Sequence, residues 1–215
     1  MERTSILVNR EVKMTRITYF NVDWLRIKNR CRTTINKGDS EIEPTEKWKK
    51  RLILAEHSPL RVGSISIHFD KIPYFVSTHL VRHHIGVEKF VSTSREDRTG
   101  ISREQRKQTD NVQMELEMNP QALINISRKR LCTQADETTR TYWNEVVEEV
   151  RKKDKILAWG CVPECIRDGG CPEFQSCGLY AQFQTMNKDT DLSNMEERYD
   201  RFDEQRNTLI RVKRK

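Results

Sequence analysis

The chain has 215 residues, 39 Lys and Arg against 32 Asp and Glu, a formal charge of +7, and 35% apolar against 33% charged residues. That length suits one ordinary domain, or one with appendages, and no run approaches the roughly 18–20 consecutive apolar residues of a membrane span. The opening stretch MERTSILVNREVKMTR mixes both charge signs without an apolar block, so a secretory signal is not expected, and 4 Trp, 7 Phe and 5 Tyr argue against wholesale disorder.

In chain order, Ile6-Leu7-Val8 and the group Ile17, Tyr19 and Phe20 predict one or two strands, followed by a short helix near 22–30. Asn36-Lys37-Gly38-Asp39-Ser40 is a turn. Glu43-Pro44-Thr45-Glu46 opens a helix, because Pro suits a first turn and acids there complement the helix dipole. Trp48, Leu52 and Ala55 share one face of it, and His57-Ser58-Pro59 ends it. Residues 62–69 alternate: Ile65, Ile67 and Phe69 point one way, Ser64, Ser66 and His68 the other, which predicts a half-buried strand. Pro73 opens a helix through about residue 84, apolar at Phe75, Val76, Leu80 and Val81 and ending in His83-His84. Residues 88–100 read as a polar loop and 102–118 as a charged helix. Pro120 begins a helix with Leu123, Ile124, Ile126 and Leu131 on its apolar face. Asp136 caps another to about residue 155, burying Tyr142, Trp143, Val146, Val147 and Val150. Residues 159–178 form a Cys-, Gly- and Pro-rich knot, and beyond Asn187 a mobile charged tail is expected, with one helix near 194–205.

The positive balance favours anionic partners: nucleotides, nucleic acid and flavin phosphates all qualify. The basic end at 211–215 reads as a solvated tail or as a salt-sensitive contact with nucleic acid. Of six cysteines, Cys161, Cys165, Cys171 and Cys177 fall within 17 residues, at spacings of three, five and five intervening residues. Without a signal peptide, such a cluster reads as thiols or a metal site before disulfides. Four thiolates suit tetrahedral zinc or an iron–sulfur cluster, and Gly169-Gly170 with the neighbouring prolines permits the sharp chain path. Free or buried thiols packing a loop, and disulfides or redox thiols, are the alternatives. Cys31 and Cys132 read as small buried apolar residues.

Three pieces in order carry a family resemblance. The first is Ser58-Pro59 before the strand, then the helix Ile72-Pro73-Tyr74-Phe75-Val76-Ser77-Thr78-His79-Leu80-Val81 running into Arg82-His83-His84. The second is Asn119, Gln121, Asn125 and Arg130, and the third is Arg32-Thr33-Thr34. Together they resemble the flavin-dependent thymidylate synthases, the ThyX family, over roughly residues 20–155, where the family has Arg-His-Arg, a spaced Asn, Arg, Asn, Arg set, and an early Arg-Val-Ser. The departures are specific. His84 replaces the second Arg, His79 a Gln, Val87 a Ser, Lys89-Phe90 an Asn-Glu pair, Gln121 an Arg and Val62 a His. The last motif Arg falls on Ser94, with Arg95 next, while Ser92 keeps its place. Arg-His-x-Ile-Gly-Val with a late Cys cluster resembles a bacteriophage branch.

The resemblance implies an α/β chain of the α+β type, a central antiparallel sheet flanked by helices, with a catalytic domain over 1–158, the Cys-rich knot over 159–180 and a charged tail over 181–215. It implies FAD, reduced by NADPH, and methylenetetrahydrofolate in the reductive methylation of dUMP to dTMP. The implied assembly is a homotetramer with shared active sites, in the cytoplasm of a bacterium or phage-infected cell, with no membrane or nucleic-acid partner expected. Arg82 and Arg130 are the implied catalytic pair. Thr34, Arg82, His83, His84, Asn119 and Asn125 are implied at the cofactor, and His79, Ser92, Arg95, Arg103 and Arg130 at the nucleotide, with Arg106 as an alternative phosphate contact. Arg82 ranks first because a guanidinium fork holds a phosphate or carbonyl and stays charged. Plainer readings stand beside these. His83-His84 can complement a helix dipole, Asn119 can cap the helix at Pro120, Ser92 can be an ordinary loop residue, and of Arg128, Lys129 and Arg130 at most one or two face a site. Two other functions compete: hydroxymethylation of dUMP or dCMP on the same scaffold, motivated by His79, His84, Val87 and Phe90, and a metal-stabilised nucleic-acid-binding module.

Overall fold

A computed structural model describes residues 15–210. The run at 6–8 and the basic end at 211–215 lie outside the described residues. Strand β1 (Thr15–Asn21) leads into α1 (Trp24–Thr33), capped by the Asp23 side chain, and α2 (Glu46–Ala55), capped by Thr45. A 3-10 turn at Ser58–Arg61 precedes β2 (Ser64–Pro73), α3 (Tyr74–Leu80), β3 (Val87–Val91) and the short α4 (Glu96–Thr99). Strand β4 (Asn111–Met118) then runs into α5 (Pro120–Arg130), α6 (Glu137–Lys153), α7 (Lys155–Trp159) and α8 (Glu164–Asp168). Two helices, α9 (Leu179–Met186) and α10 (Met195–Ile210), complete the described chain.

The sheet has four strands in the order β1-β2-β4-β3, antiparallel at every pairing, which is the expected central antiparallel sheet flanked by helices. Register places Ile65, Ile67 and Phe69 opposite Met118, Leu116 and Met114, so one face is apolar and buried. The other face carries Ser64, Ser66, His68, Glu115 and Glu117. It is tied across strands by Thr18 Oγ1 donating to Glu115 Oε1 at 2.6 Å and by His68 Nδ1 lying 2.6 Å from Glu115 Oε2.

Three expectations need correction. Residues 111–118 form a strand, not a helix, because Val112, Met114, Leu116 and Met118 alternate with polar residues that face the open side of the sheet. The expected loop at 88–100 contains β3, whose Val87 and Val91 pair with Met118 and Met114. The tail expected to be mobile beyond Asn187 is packed instead: the helix expected near 194–205 is present as α10 (Met195–Ile210), and it is held against the body of the fold. Tyr199, Phe202, Leu209 and Ile210 of α10 are buried, and Arg198 donates from Nε to Ile166 O at 2.7 Å.

Helix α6 sits at the centre, with Trp143, Val146, Val147 and Val150 fully buried. Trp143 Nε1 donates to Ser127 Oγ at 3.0 Å, and that hydroxyl donates to Leu123 O at 2.8 Å. The chain of bonds fixes the rotation of α5 against α6, and with it the direction of Arg130 at the end of α5.

Candidate active site

Pro73 at the start of α3 supplies the fixed φ that suits a helix entry, and Val81 closes the helix by donating to Ser77 O at 2.9 Å. The chain then turns through Arg82-His83-His84 to Gly86, whose φ of +72° belongs to the left-handed region. Gly86 O accepts from Asn119 N at 3.2 Å, while Asn119 Oδ1 caps α5 by accepting from Ala122 N at 2.9 Å. The segment from His79 to Gly86 thus runs beside α5, meeting its start through Asn119 and its end through Arg130.

At that end, Arg130 donates from Nε to His83 Nε2 at 2.9 Å and from a terminal nitrogen to His79 O at 2.5 Å. His79 is held in turn by α6, with Nδ1 2.8 Å from Thr139 Oγ1. Lys89 on β3 donates to His83 O at 2.8 Å and lies 3.1 Å from His84 Nδ1. Burial, reinforced by the charges of Arg130, His84 and Lys89, pushes His83 down to about 4. Burial and then Arg130 also lower His79, and burial with the facing charge of Arg82 lowers Arg130. His83 is therefore neutral near pH 7. Its Nε2 accepts from Arg130, which assigns the ring proton to Nδ1 as a free donor. Among the described residues, no carboxylate forms an ion pair with Arg82, Lys89 or Arg130. Cations gathered without a counter-charge, with hydrogen-bond donors exposed, make an anion-binding site.

The other expected residues fall elsewhere. Arg128, Lys129 and Arg130 take three different partners: Arg128 pairs with Glu56, Lys129 with Glu164, and Arg130 with His83. Asn125 faces the Glu56 group rather than Arg130. Its Oδ1 accepts from Gln121 at 3.0 Å, and Gln121 reaches Glu56 Oε2 at 3.2 Å. Burial alone would raise the Glu56 carboxyl, but hydrogen bonds and charge from Arg128 and Arg167 hold it below its usual range. Thr34 closes α1 by donating to Cys31 O at 2.7 Å and lines a separate hollow with Trp48, Arg51 and His57.

Arg103 lines a cavity of about 350 Å³ with Tyr74, Ser94, Arg106, Lys107 and Asp110. Arg106 donates to Thr99 Oγ1 at 2.7 Å, while its buried Nε has no partner within the protein. Arg95 is engaged by Asp97 through two bonds of 2.9 and 2.7 Å, and shares a shallow surface depression with Arg103. Ser92 extends the β3–β4 ladder: its N donates to Gln113 O at 2.9 Å and its Oγ accepts from Gln113 N at 3.1 Å.

The cysteines divide differently from the sequence grouping. Cys161 is fully buried, with Sγ 3.5 Å from Leu157 O, and does not meet the other three. Its expected place beside Cys165, Cys171 and Cys177 is taken by Cys132, and these four line one cavity of about 290 Å³ together with His83 and Arg130. All six thiols are free. Burial, with smaller contributions from Cys177, Glu173 and Cys171, pushes Cys132 up to about 11. Among the described residues, no three His, Cys, Asp or Glu side chains converge as the ligands of a single ion do. Lys89 and Cys132 escaped sequence reading. The two-residue period of β3 is the signal that turns Lys89 toward His83, and nothing local marks Cys132.

No helix among the described residues is long and apolar enough to cross a membrane. No family model matches the chain. A flavin-dependent thymidylate synthase of Clostridium tetani (strain Massachusetts / E88) is 38% identical over 68 residues, 31% of this chain and 27% of that protein, so the match spans about a quarter of the curated relative's length. Among solved structures, ThyX from Helicobacter pylori with FAD and dUMP aligns at a TM-score of 0.57 and 10% identity, covering 70% of this chain and 99% of that one. The UMP/dUMP methylase PolB from Streptomyces cacaoi bound with 5-Br dUMP aligns at 0.54 and 11% identity, covering 68% of this chain and 93% of that one. At such identity these likenesses show the fold. The chain thus shares its fold with ThyX and PolB and is similar over 68 residues to a flavin-dependent thymidylate synthase.

Proposed function

We propose that this chain is an FAD-dependent enzyme that methylates dUMP to dTMP, with methylenetetrahydrofolate as carbon donor and NADPH as reductant. The observation that carries the reading is the Arg130–His83 contact inside a group of cations with no carboxylate partner. The donor set fits FAD: Arg82 and Arg130 repel one another until an anion lies between them, and the free His83 Nδ1–H suits a carbonyl-rich ring edge. Arg82, Lys89 and Arg130 would hold the anionic cofactor, with His84 and Asn119 at the turn beside it. Asn125 and Thr34 would serve from other faces of the chain. When bound, FAD supplies the two-electron chemistry of the reduction.

The remaining work belongs to the protein. Arg103, Arg106 and Lys107, which line one cavity, would take the dUMP phosphate, with Ser92 and Arg95 as further contacts. His79, held by Thr139, would fix the nucleotide side of the helix end. A guanidinium donating to a uracil carbonyl withdraws charge from the ring without losing its own proton, and this is the role of Arg82. A homotetramer with shared sites completes the reading. It is supported by exposed apolar side chains next to the site, Ile85 at 85% and Phe90 at 60% exposure.

Complementation of a thymidine-auxotrophic bacterium tests the proposal. The wild-type chain is expected to restore growth and Arg82→Ala to abolish it. Failure of a soluble wild-type chain to rescue overturns the reading. Mass spectrometry of the product separates dTMP from a hydroxymethylated nucleotide.

A further inference from the structure

The four thiols of Cys132, Cys165, Cys171 and Cys177 come from three parts of the fold. Cys132 follows the end of α5, Cys165 lies in α8, and Cys171 and Cys177 sit in the connection to α9. The three parts are joined around the cavity. Lys129 on α5 pairs with Glu164 on α8, and Gln134 Nε2 donates to Gln175 O at 2.6 Å. Residues 171–177 make no backbone–backbone hydrogen bond among the described residues, and Phe174 is fully exposed. Gly169 and Gly178, at φ of +75° and +85°, bracket this connection and let it fold back over the cavity. A connection this poor in hydrogen bonds, with its cysteines facing two others across a shared space, lacks a cross-link.

The size of the space chooses among cross-links. In a tetrahedral zinc site the sulfurs lie about 2.3 Å from the metal and therefore about 3.8 Å from one another. Here the four residues are among those lining a cavity of about 290 Å³, and no three converge on a point. Of the other side chains lining the cavity that could bind metal, His83 is engaged by Arg130 and Glu164 by Lys129, while Glu173 also lines it; the four sulfurs are the most numerous ligands there. Arg130 also lines the cavity without a carboxylate partner, which suits a body of net negative charge.

We propose that Cys132, Cys165, Cys171 and Cys177 ligate an iron–sulfur cluster of the four-iron class, seated between the end of α5, α8 and the connection before α9. Binding converts four thiols to thiolates and releases their protons to solvent. Cys161 takes no part. The assignment stands on the cavity and its cysteines and does not rest on flavin chemistry.

The test uses the full chain, purified without oxygen and then treated with ferrous iron, sulfide and a thiol reductant. Iron, zinc and acid-labile sulfide are measured in the wild type, Cys132→Ser and Cys161→Ala, together with the electron paramagnetic resonance signal after dithionite reduction. The expected wild type holds about four irons and about four sulfides per chain. Cys132→Ser is expected to lose cluster at least several-fold, while Cys161→Ala keeps it. Wild-type metal content decides the matter even if a variant folds poorly. Stoichiometric zinc without sulfide, disulfides among the four cysteines with no metal, neither metal at all, or a full cluster in Cys132→Ser each overturns the proposal. FAD released from the same samples is measured separately, so a chain with cluster and no flavin refutes only the flavin reading, and flavin without iron refutes only this one.

Discussion

Arg130 donates from Nε to Nε2 of His83 at 2.9 Å, joining the end of α5 to the turn after α3 across 47 positions of sequence. The bond sets three properties of the site. It orients the imidazole, it fixes which nitrogen carries the proton, and it keeps the ring neutral beside a permanent cation. A neutral donor surrounded by fixed positive charge is suited to an anionic ligand with carbonyl acceptors.

Acid should weaken the folded chain partly through His83. Burial and Arg130 lower its pKa to about 4, whereas an unfolded histidine titrates near 6.5. Between those values the unfolded chain binds more protons. The contribution is therefore complete above about pH 6.5 and fades as the pH falls toward 4. His83 keeps some solvent access, and screening reduces the expected loss between pH 7 and 5 to roughly 1 kcal/mol. Urea denaturation at both pH values should show a larger loss for the wild type than for His83→Gln, and equal losses contradict the assignment.

Gly86→Ala should disturb the site from its backbone. A Cβ at this left-handed position would collide with the Asn119 side-chain amide, which caps α5. Strain and a displaced cap together cost about 2 kcal/mol. Gly38→Ala, with nothing within 4 Å of the added carbon, is the control. Thermal melting should separate the two variants clearly.

Glu56→Ala should leave Arg128 and Arg167 facing one another without their shared carboxylate. Removing one member of a half-buried ion group costs about 2–3 kcal/mol, and Glu56→Gln should cost less. Chemical denaturation measures the difference. Because the carboxyl is held below its usual range, the group stabilises the fold above ordinary carboxylate pKa values, and that stabilisation disappears as acid protonates Glu56.

Arg106→Ala should raise the KM for dUMP by about 10–100-fold, the worth of one charged phosphate contact, while flavin content stays unchanged. Steady-state kinetics with flavin quantified in the same preparation checks it. A change confined to kcat would place the phosphate elsewhere.

Elements whose partners lie nearby in sequence were legible. The alternation of Ile65, Ile67 and Phe69, the stripe of Trp143, Val146, Val147 and Val150, and the caps at Asn119 and Asp136 state their own structure. Strand β4 was hidden because Glu115 and Glu117 suggest a solvated helix until Thr18, Ser64 and His68 supply partners from distant strands. Helix α10 was expected near 194–205, but its packing was hidden, because Arg198 and Arg206 are buried by donating to Ile166, Arg167 and Ala158 carbonyls, which local composition cannot reveal. Of the site, family spacing marked His83 and Arg130, which do meet. Asn125 kept the spacing but points to Glu56, because five residues along a helix turn a side chain well away from Arg130. Cys132 joined the cysteine group only through the fold.

The most direct measurement is an equilibrium titration of the purified chain with FAD, followed by visible absorbance with and without dUMP, for the wild type and Arg130→Gln. The account predicts bound flavin in the wild type, a further spectral change when dUMP is added, and FAD affinity at least about 10-fold weaker in the variant, the worth of one charge-assisted contact. No flavin bound by a folded wild type, or equal binding by both proteins, contradicts it.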